Sequence, residues 1–359
     1  MEIPLGQRLR ELPGPLLLTG HTGFKGTWMT FLLEHLNIPV VGFSLHAEKD
    51  SLFDRAQRTG AITEAFSDIR DYAALERFID LHKPSTIVHM AAQPLVLRSY
   101  ESPRETFEVN VMGTVNVLDI AFKKAFVKSI IVVTTDKVYK NDNLGRAFIE
   151  TDPLEGKDPY SASKVGTEAV VAAWQQISKV SGGPMLVSVR AGNVIGGGDF
   201  AANRIIPDLI RGLITKNPIE IRNPNSTRPW QHVLDPLLGY LVTLEKTLTG
   251  IELQSINFGP LENGISVSEI VEIFRSHSIF SEFQASIKNT NPTENLEALT
   301  LMLNSGMAES VLGIKPLYDS NQSLDLTFGW WEKVLSMKYS PEQACLEDIT
   351  DLMEKLSYE

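Results

Sequence analysis

Two rhythms of apolar positions run along this chain. Short, mostly β-branched or leucine runs at Leu16–Thr19, Val40–Ser44, Ala61–Phe66, Thr86–Met90, Ser129–Thr134 and Met185–Arg190 read as strands. Between them, Lys25–Leu36, Tyr72–His82, Pro103–Lys124 and Tyr160–Ser178 carry amphipathic spacing and read as helices, the second ended by Lys83-Pro84. Strands separated by helices cannot pair as hairpins. They need crossovers, so the pattern predicts a parallel sheet with helices on both faces. The order is that of an α/β, Rossmann-type doubly wound fold, which binds ligands at the carboxyl ends of its strands.

The rhythm changes after Ala191. A glycine-rich segment, Gly192–Asp199, leads to a helix near Asn203–Thr215. Shorter elements follow at Ile219–Arg222, Val233–Leu248, Ser255–Phe258 and Ser266–Ser276, then two helices within Asn321–Leu356. Residues 1–191 thus read as a nucleotide-binding domain, rejoined by about 233–258. Residues 192–359 read as a smaller mixed α/β substrate-binding lobe.

Gly20-His21-Thr22-Gly23-Phe24-Lys25-Gly26 lies between the first strand and the first helix. Glycines there allow a tight turn and let the backbone approach a diphosphate at the helix N-terminus. An acid about 20 residues further on would hold the ribose hydroxyls of NAD. That neighbourhood here is Ser44-Leu45-His46-Ala47-Glu48-Lys49-Asp50. His46 stands in the acid's place, with Glu48 or Asp50 as substitutes, and NAD is expected ahead of NADP. Asp68-Ile69 follows the third strand, where adenine contacts are made in such folds. Ala91-Ala92-Gln93 follows the fourth, where small residues let backbone crowd the cofactor.

The chemistry-bearing segment is Thr134-Thr135-Asp136-Lys137 at the end of the fifth strand, followed by Tyr160-Ser161-Ala162-Ser163-Lys164. Tyrosine and lysine four apart share one helix face. An ammonium near a phenol lowers its pKa and readies it as a base, which predicts that Lys164 lowers Tyr160. The Asp136-Lys137 pair adds acid/base capacity that simple oxidation of a carbinol does not need.

With 359 residues, 43% of them hydrophobic, the chain can bury a large core. Its net charge of −11 argues against nucleic acid and anionic membranes as partners, so an anionic ligand must be met by a local group of cations. Arg204, Arg222 and Arg228 in the second lobe are candidates. The lone Cys345 excludes an internal disulfide and a cysteine-based zinc site. The first fourteen residues lack a signal-like apolar core, and no apolar run reaches the roughly 18 residues of a membrane span. A cytoplasmic protein is expected. His21, His89 and His232 lack ligand spacing, and no metal site is expected.

Together these motifs resemble the extended short-chain dehydrogenase/reductase family, and within it the CDP-glucose 4,6-dehydratases. The matching segments are Gly20–Gly26, His89-Met90-Ala91-Ala92-Gln93-Pro94-Leu95-Val96, Asn110-Val111-Met112-Gly113-Thr114, Thr135-Asp136-Lys137, Asp158-Pro159-Tyr160-Ser161, Arg190–Asp199, Ile221–Pro224 and Thr227–Val233. The resemblance runs from about residue 15 to 260. It implies a bound NAD and an internal redox dehydration of a nucleotide-hexose. In that reaction Tyr160 takes the C4 hydroxyl proton and Thr135 hydrogen-bonds the C4 oxygen. Lys137 removes the C5 proton, and Asp136 protonates the departing C6 hydroxyl. The resemblance also implies that Lys164 holds the nicotinamide ribose and Asn110 helps position the active-site elements. Thr134 would belong to the cofactor site, and Gln93, Asn193, Arg204, Arg222 and Arg228 to the substrate. A homodimer through a four-helix bundle is implied as well. The rival readings are a 4-epimerase, which needs the Tyr/Lys pair but not Asp136-Lys137, a dehydratase of another nucleotide sugar, and, more remotely, a cofactor-binding protein without catalysis.

Overall fold

The computed structural model describes residues 5–141, 145–217, 219, 221, 224–260, 264–277 and 301–358. Seven strands form one sheet: β1 (Leu16–Thr19), β2 (Val40–Ser44), β3 (Thr63–Phe66), β4 (Thr86–His89), β5 (Ser129–Val133), β6 (Met185–Ala191) and β7 (Ser255–Phe258). All neighbours are parallel, in the order β7-β6-β5-β4-β1-β2-β3. Every residue of β1, β4, β5 and β7 is buried; β1 and β5 read as near-continuous apolar runs, whereas β7 alternates and its buried Asn257 is held by Tyr139 and by Phe148 O.

The helices that frame the sheet are α1 (Phe24–His35), α2 (Tyr72–His82), α3 (Gly113–Phe122), α4 (Pro159–Ser181), α5 (Ile205–Thr215), α6 (Leu234–Thr247), α7 (Val267–Ser276), α8 (Ser320–Leu335) and α9 (Pro341–Tyr358). Asp71 caps α2 by accepting from Ala74 N at 3.0 Å. The single helix expected over Pro103–Lys124 is three pieces: Pro103–Phe107, a π-helical turn at Glu108–Met112, and α3.

β7 returns to the sheet beside β6, pairing Ser255 with Ser188 and Phe258 with Ala191. The main hydrophobic core does not stop at residue 191. It joins Trp28, Phe31 and Leu32 of α1 to Leu237, Tyr240 and Leu241 of α6 and to Phe328, Trp330 and Trp331 of α8. Trp28 Nε1 donates to Gly197 O at 3.0 Å across that boundary. A second core of Ile87, Ile130, Val132, Leu75 and Leu118 fills the opposite face. Among the described residues, no helix is long and apolar enough to cross a membrane.

Candidate active site

The glycine loop leaves β1 at Gly20, whose φ is +75°. A Cβ there would lie 2.8 Å from Ala91 N, and one at Gly26 would lie 2.1 Å from Gly20 O. Only glycine permits this crossing of loop, α1 and the end of β4. Gly23 is exposed and meets nothing closer than 3.4 Å, so the loop presents open backbone at the N-cap of α1. That backbone cradle fits a diphosphate. Thr22 Oγ1 lies 2.8 Å from Ser44 Oγ and donates to Leu45 O at 3.0 Å, tying the loop to the end of β2. His46, exposed, stacks on Phe66 at 4.4 Å and 20°. Asp68 pairs with Arg70 at 2.7 Å, and Ile69 packs beneath Gly113. Phe24 turns towards Gly196.

Beyond β4, Gln93 is committed internally. Its amide donates to Leu95 O and Thr106 Oγ1, and its Oε1 accepts from Leu95 N at 2.7 Å. Asn110, on the π-helical turn, is buried. It accepts from Gln93 N at 2.8 Å and donates to Gln93 O and to Ser163 Oγ at 2.8 Å. Asn110 therefore joins the loop after β4 to α4, Gln93 joins it to the Pro103–Phe107 helix, and in this structure their polar atoms hold protein rather than face a ligand.

A capping box between Asp158 and Ser161, with Pro159 in the first turn, starts α4 and fixes where Tyr160 emerges. Tyr160 is buried, and the Thr135 hydroxyl is near enough to act on its phenol. Thr135 Oγ1 also donates to Asp136 Oδ1 at 2.9 Å. Asp136 is buried beside Gly192, whose added Cβ would come within 3.2 Å of Oδ2. Lys137, half-buried, shares its short 3-10 turn (Asp136–Val138) at the end of β5. Tyr160, Thr135 and Asp136 thus meet at the carboxyl end of β5.

One expectation is corrected. Lys164 does not lower the Tyr160 phenol here. Burial pushes that phenol up to about 12, and the groups opposing the rise are the Thr135 hydroxyl and the Arg204 guanidinium. Lys164 Nζ donates instead to Val133 O at 3.0 Å, and burial followed by repulsion from Lys25 lowers it to about 7.

Sequence reading missed the support beneath these groups. Glu168, one further turn along the Tyr160–Lys164 face, is buried. It accepts from Arg190 Nε at 2.8 Å, from Thr134 Oγ1 at 2.6 Å and from Ser188 Oγ at 2.8 Å. Thr134, expected at the cofactor, is held there. Arg190 also reaches Tyr139 Oη at 2.8 Å, and Tyr139 donates to Asn257. The second i+4 step from Tyr160 was the available signal for Glu168.

In the second lobe, the short strand Asn193–Ile195 pairs with Trp230–His232, and Asn193 Nδ2 donates to Pro229 O. Arg228 lies in the adjoining strand Thr227–Arg228, paired with Ile265–Ser266. Asn193 thus contacts Pro229, the residue after Arg228. Arg204, at the N-terminus of α5, pairs with buried Asp199 at 3.0 Å and acts on Tyr160 and Lys25. Arg222 lies outside the described residues.

The three histidines go separate ways. His89 bridges Thr19 Oγ1 (2.7 Å) and Thr114 Oγ1 (3.1 Å), His21 lies 2.7 Å from Glu64, and His232 is buried against Trp28 and Tyr318. Among the described residues, no three His, Cys, Asp or Glu side chains are placed to hold a metal.

A glycine cradle on a parallel sheet, opening onto a tyrosine, a lysine and an acid, defines a nucleotide-dependent oxidoreductive site. The chain belongs to the NAD dependent epimerase/dehydratase family, whose model matches residues 16–259. CDP-glucose 4,6-dehydratase of Salmonella typhimurium is 37% identical over 323 residues, covering 88% of this chain and 89% of that protein. Two solved structures share the fold. UDP-glucose 4-epimerase of Thermotoga maritima, with UDP-glucose, superimposes with a TM-score of 0.76 at 20% identity, covering 89% of this chain and 99% of that one. dTDP-glucose 4,6-dehydratase of Bacillus anthracis, in complex with NAD, gives 0.75 at 22% identity, covering 89% and 97%.

Proposed function

We propose that this protein is a nucleotide-sugar 4,6-dehydratase that converts CDP-glucose to CDP-4-keto-6-deoxyglucose. One observation carries the reading: Asp136-Lys137 stands at the end of β5, hydrogen-bonded to Thr135 and beside the Tyr160 phenol on which Thr135 and Asp136 act. An epimerase would have no use for that pair. The 37% identity to the Salmonella typhimurium enzyme favours CDP-glucose among the sugars.

The residues that would hold NAD are the Gly20–Gly26 backbone, Thr22, His46, Asp68, Ile69, Ala91, Ala92 and Lys164. When bound, the cofactor supplies the acceptor, and later the donor, of one hydride. Tyr160 Oη takes the C4 hydroxyl proton while Thr135 fixes the C4 oxygen. At about 12 the phenol stays protonated at neutral pH and cannot accept the C4 proton, so positive charge that lowers it and populates the phenolate is part of its activation. A ketone at C4 acidifies C5–H, and Lys137 removes that proton. Asp136 gives a proton to the C6 hydroxyl, which leaves as water. Asn193, Arg204, Arg222 and Arg228 meet the charge of the sugar's diphosphate.

Incubation with CDP-, UDP-, dTDP- and GDP-glucose separates the readings. The CDP sugar should lose the mass of one water. A 4-epimer of unchanged mass, or preference for another base, would overturn the assignment.

We further propose a cytoplasmic homodimer. The buried, single Cys345 suits a reducing compartment. The apolar face of α4 divides: Val170 and Trp174 pack on the sheet's core, whereas Ala169, Ala172 and Ala173 are exposed. Phe107 and Met112, on the neighbouring helical segment, are 41% and 50% exposed. Such a face suits a second copy of itself in a four-helix bundle. Light scattering at micromolar concentration should give twice the chain mass, and a monomer would count against the bundle.

A further inference from the structure

One side chain of the glycine loop is not used by the backbone cradle. Lys25 stands in the first turn of α1, before the third glycine. A lysine at such a turn ordinarily extends to water. Here Nζ lies 5.8 Å from the centre of the Tyr240 ring. Loss of hydration and then the Arg204 guanidinium lower the amine to about 8, with Asp136 acting in the opposite sense. Lys25 is itself the charge that, after burial, most lowers Lys164. Three cations, Lys25, Lys164 and Arg204, are therefore electrostatically linked across this part of the cleft. Two nearby carboxylates are committed, Asp199 to Arg204 and Glu168 to Arg190, which leaves Asp136, held by the Thr135 hydroxyl, as the carboxylate acting on Lys25. Tyr240 adds a second, independent feature. It is fully buried, and among the described residues its hydroxyl has no hydrogen-bond partner. Its phenol is raised by burial and by Tyr160, which places it next to the same group. The charges acting on Lys25 thus belong to the Tyr160 end of the cleft, not to the end marked by Ser44, His46 and Asp68.

We propose that Lys25 sets the charge at the hydride end of the cleft, its ammonium disfavouring the positively charged oxidised nicotinamide relative to the neutral reduced ring. The hydride leaving C4 carries an electron pair that cancels the ring's charge, while the hydroxyl proton goes to Tyr160. A fixed cation therefore favours hydride capture. Lys25 is in this sense a tuning residue that deepens the dehydratase reading, and the inference rests on Tyr160 and Lys164 marking the hydride end.

The test is binding, not turnover. The full chain is titrated with NAD, NADH and ADP-ribose by tryptophan fluorescence. Lys25→Met keeps the unbranched stem and removes the charge, and Lys25→Gln serves if that variant does not fold. Either should shift the NAD-to-NADH affinity ratio about tenfold or more towards NAD, as expected for a charge lost from a site screened from water. ADP-ribose affinity should stay nearly constant, and Lys25→Arg should keep the wild-type ratio. Parallel weakening of NAD, NADH and ADP-ribose would make Lys25 a diphosphate contact and overturn the proposal, as would an unchanged ratio. Tyr160→Phe keeps Lys25 and should keep the wild-type ratio. Normal turnover in that variant would instead remove the underlying reading of the hydride end.

Discussion

Tyr160→Phe is expected to reduce CDP-glucose turnover by about 10²–10⁴, the usual cost of losing a general base, with NAD still bound. The ring is buried at the start of α4, in a turn fixed by the Asp158–Ser161 capping box, and phenylalanine can occupy the same space. What disappears is the hydroxyl beside Thr135. The glycine loop, the Thr22–Ser44 contact and the Lys164–Val133 bond involve no atom of Tyr160 Oη. Cofactor affinity, measured by fluorescence titration, should therefore stay near wild type while product formation falls. Near-normal turnover would show that another group takes the C4 proton.

Much of this architecture was legible because the chemistry of burial wrote it into runs of residues. Leu16–Thr19, Val40–Ser44, Tyr72–His82 and Ser255–Phe258 are elements with the bounds that their patterns predict. A strand buried on both faces, such as Leu16–Thr19, is nearly apolar throughout, so no partner is needed to recognise it. The π-helical turn at Glu108–Met112 was not legible. One extra residue in a turn scarcely disturbs apolar spacing, yet it is part of the segment that directs Asn110 to Gln93 and Ser163. The short pairs Asn193–Ile195 with Trp230–His232 and Ala147–Phe148 with Met302–Leu303 are too brief for any period and join distant segments.

The site divides in the same way. Glycine spacing, Tyr160, Lys164 and Asp136-Lys137 are visible because the reaction demands those residue types. Glu168, Arg190 and Tyr240 are not, because as isolated letters they read as surface charges or a core aromatic. Their meaning comes from burial: Glu168 is satisfied by Arg190, Thr134 and Ser188, which come from β6 and the end of β5. The direction of Lys164 is equally a tertiary fact. Spacing puts it on the Tyr160 face, but only the buried carbonyl of Val133 at the strand end decides what its amine meets.

Lys137→Met should separate dehydration from oxidation. Methionine keeps most of the side-chain length and removes the amine from a half-buried position on the 3-10 turn. The turn itself depends on Lys137 only through its backbone, which donates to Thr135 Oγ1 at 3.4 Å. Thr135 and Asp136 therefore keep their hydrogen bond and Tyr160 its buried place, and the C4 proton can still be taken. Proton loss at C5 then lacks its base, and departure of the C6 hydroxyl stalls behind it. Product should fall by about 10²–10⁴. Exchange of the C5 hydrogen with deuterium from solvent, followed by mass spectrometry, should slow by a similar factor. Exchange is the sharper readout, because a variant that merely displaced Asp136 would still exchange at C5 while failing to eliminate. Wild-type exchange with normal elimination would assign the C5 proton to another base and leave Lys137 a structural role. Rapid exchange with blocked elimination would place the fault at the C6 oxygen, where Asp136 is the acid.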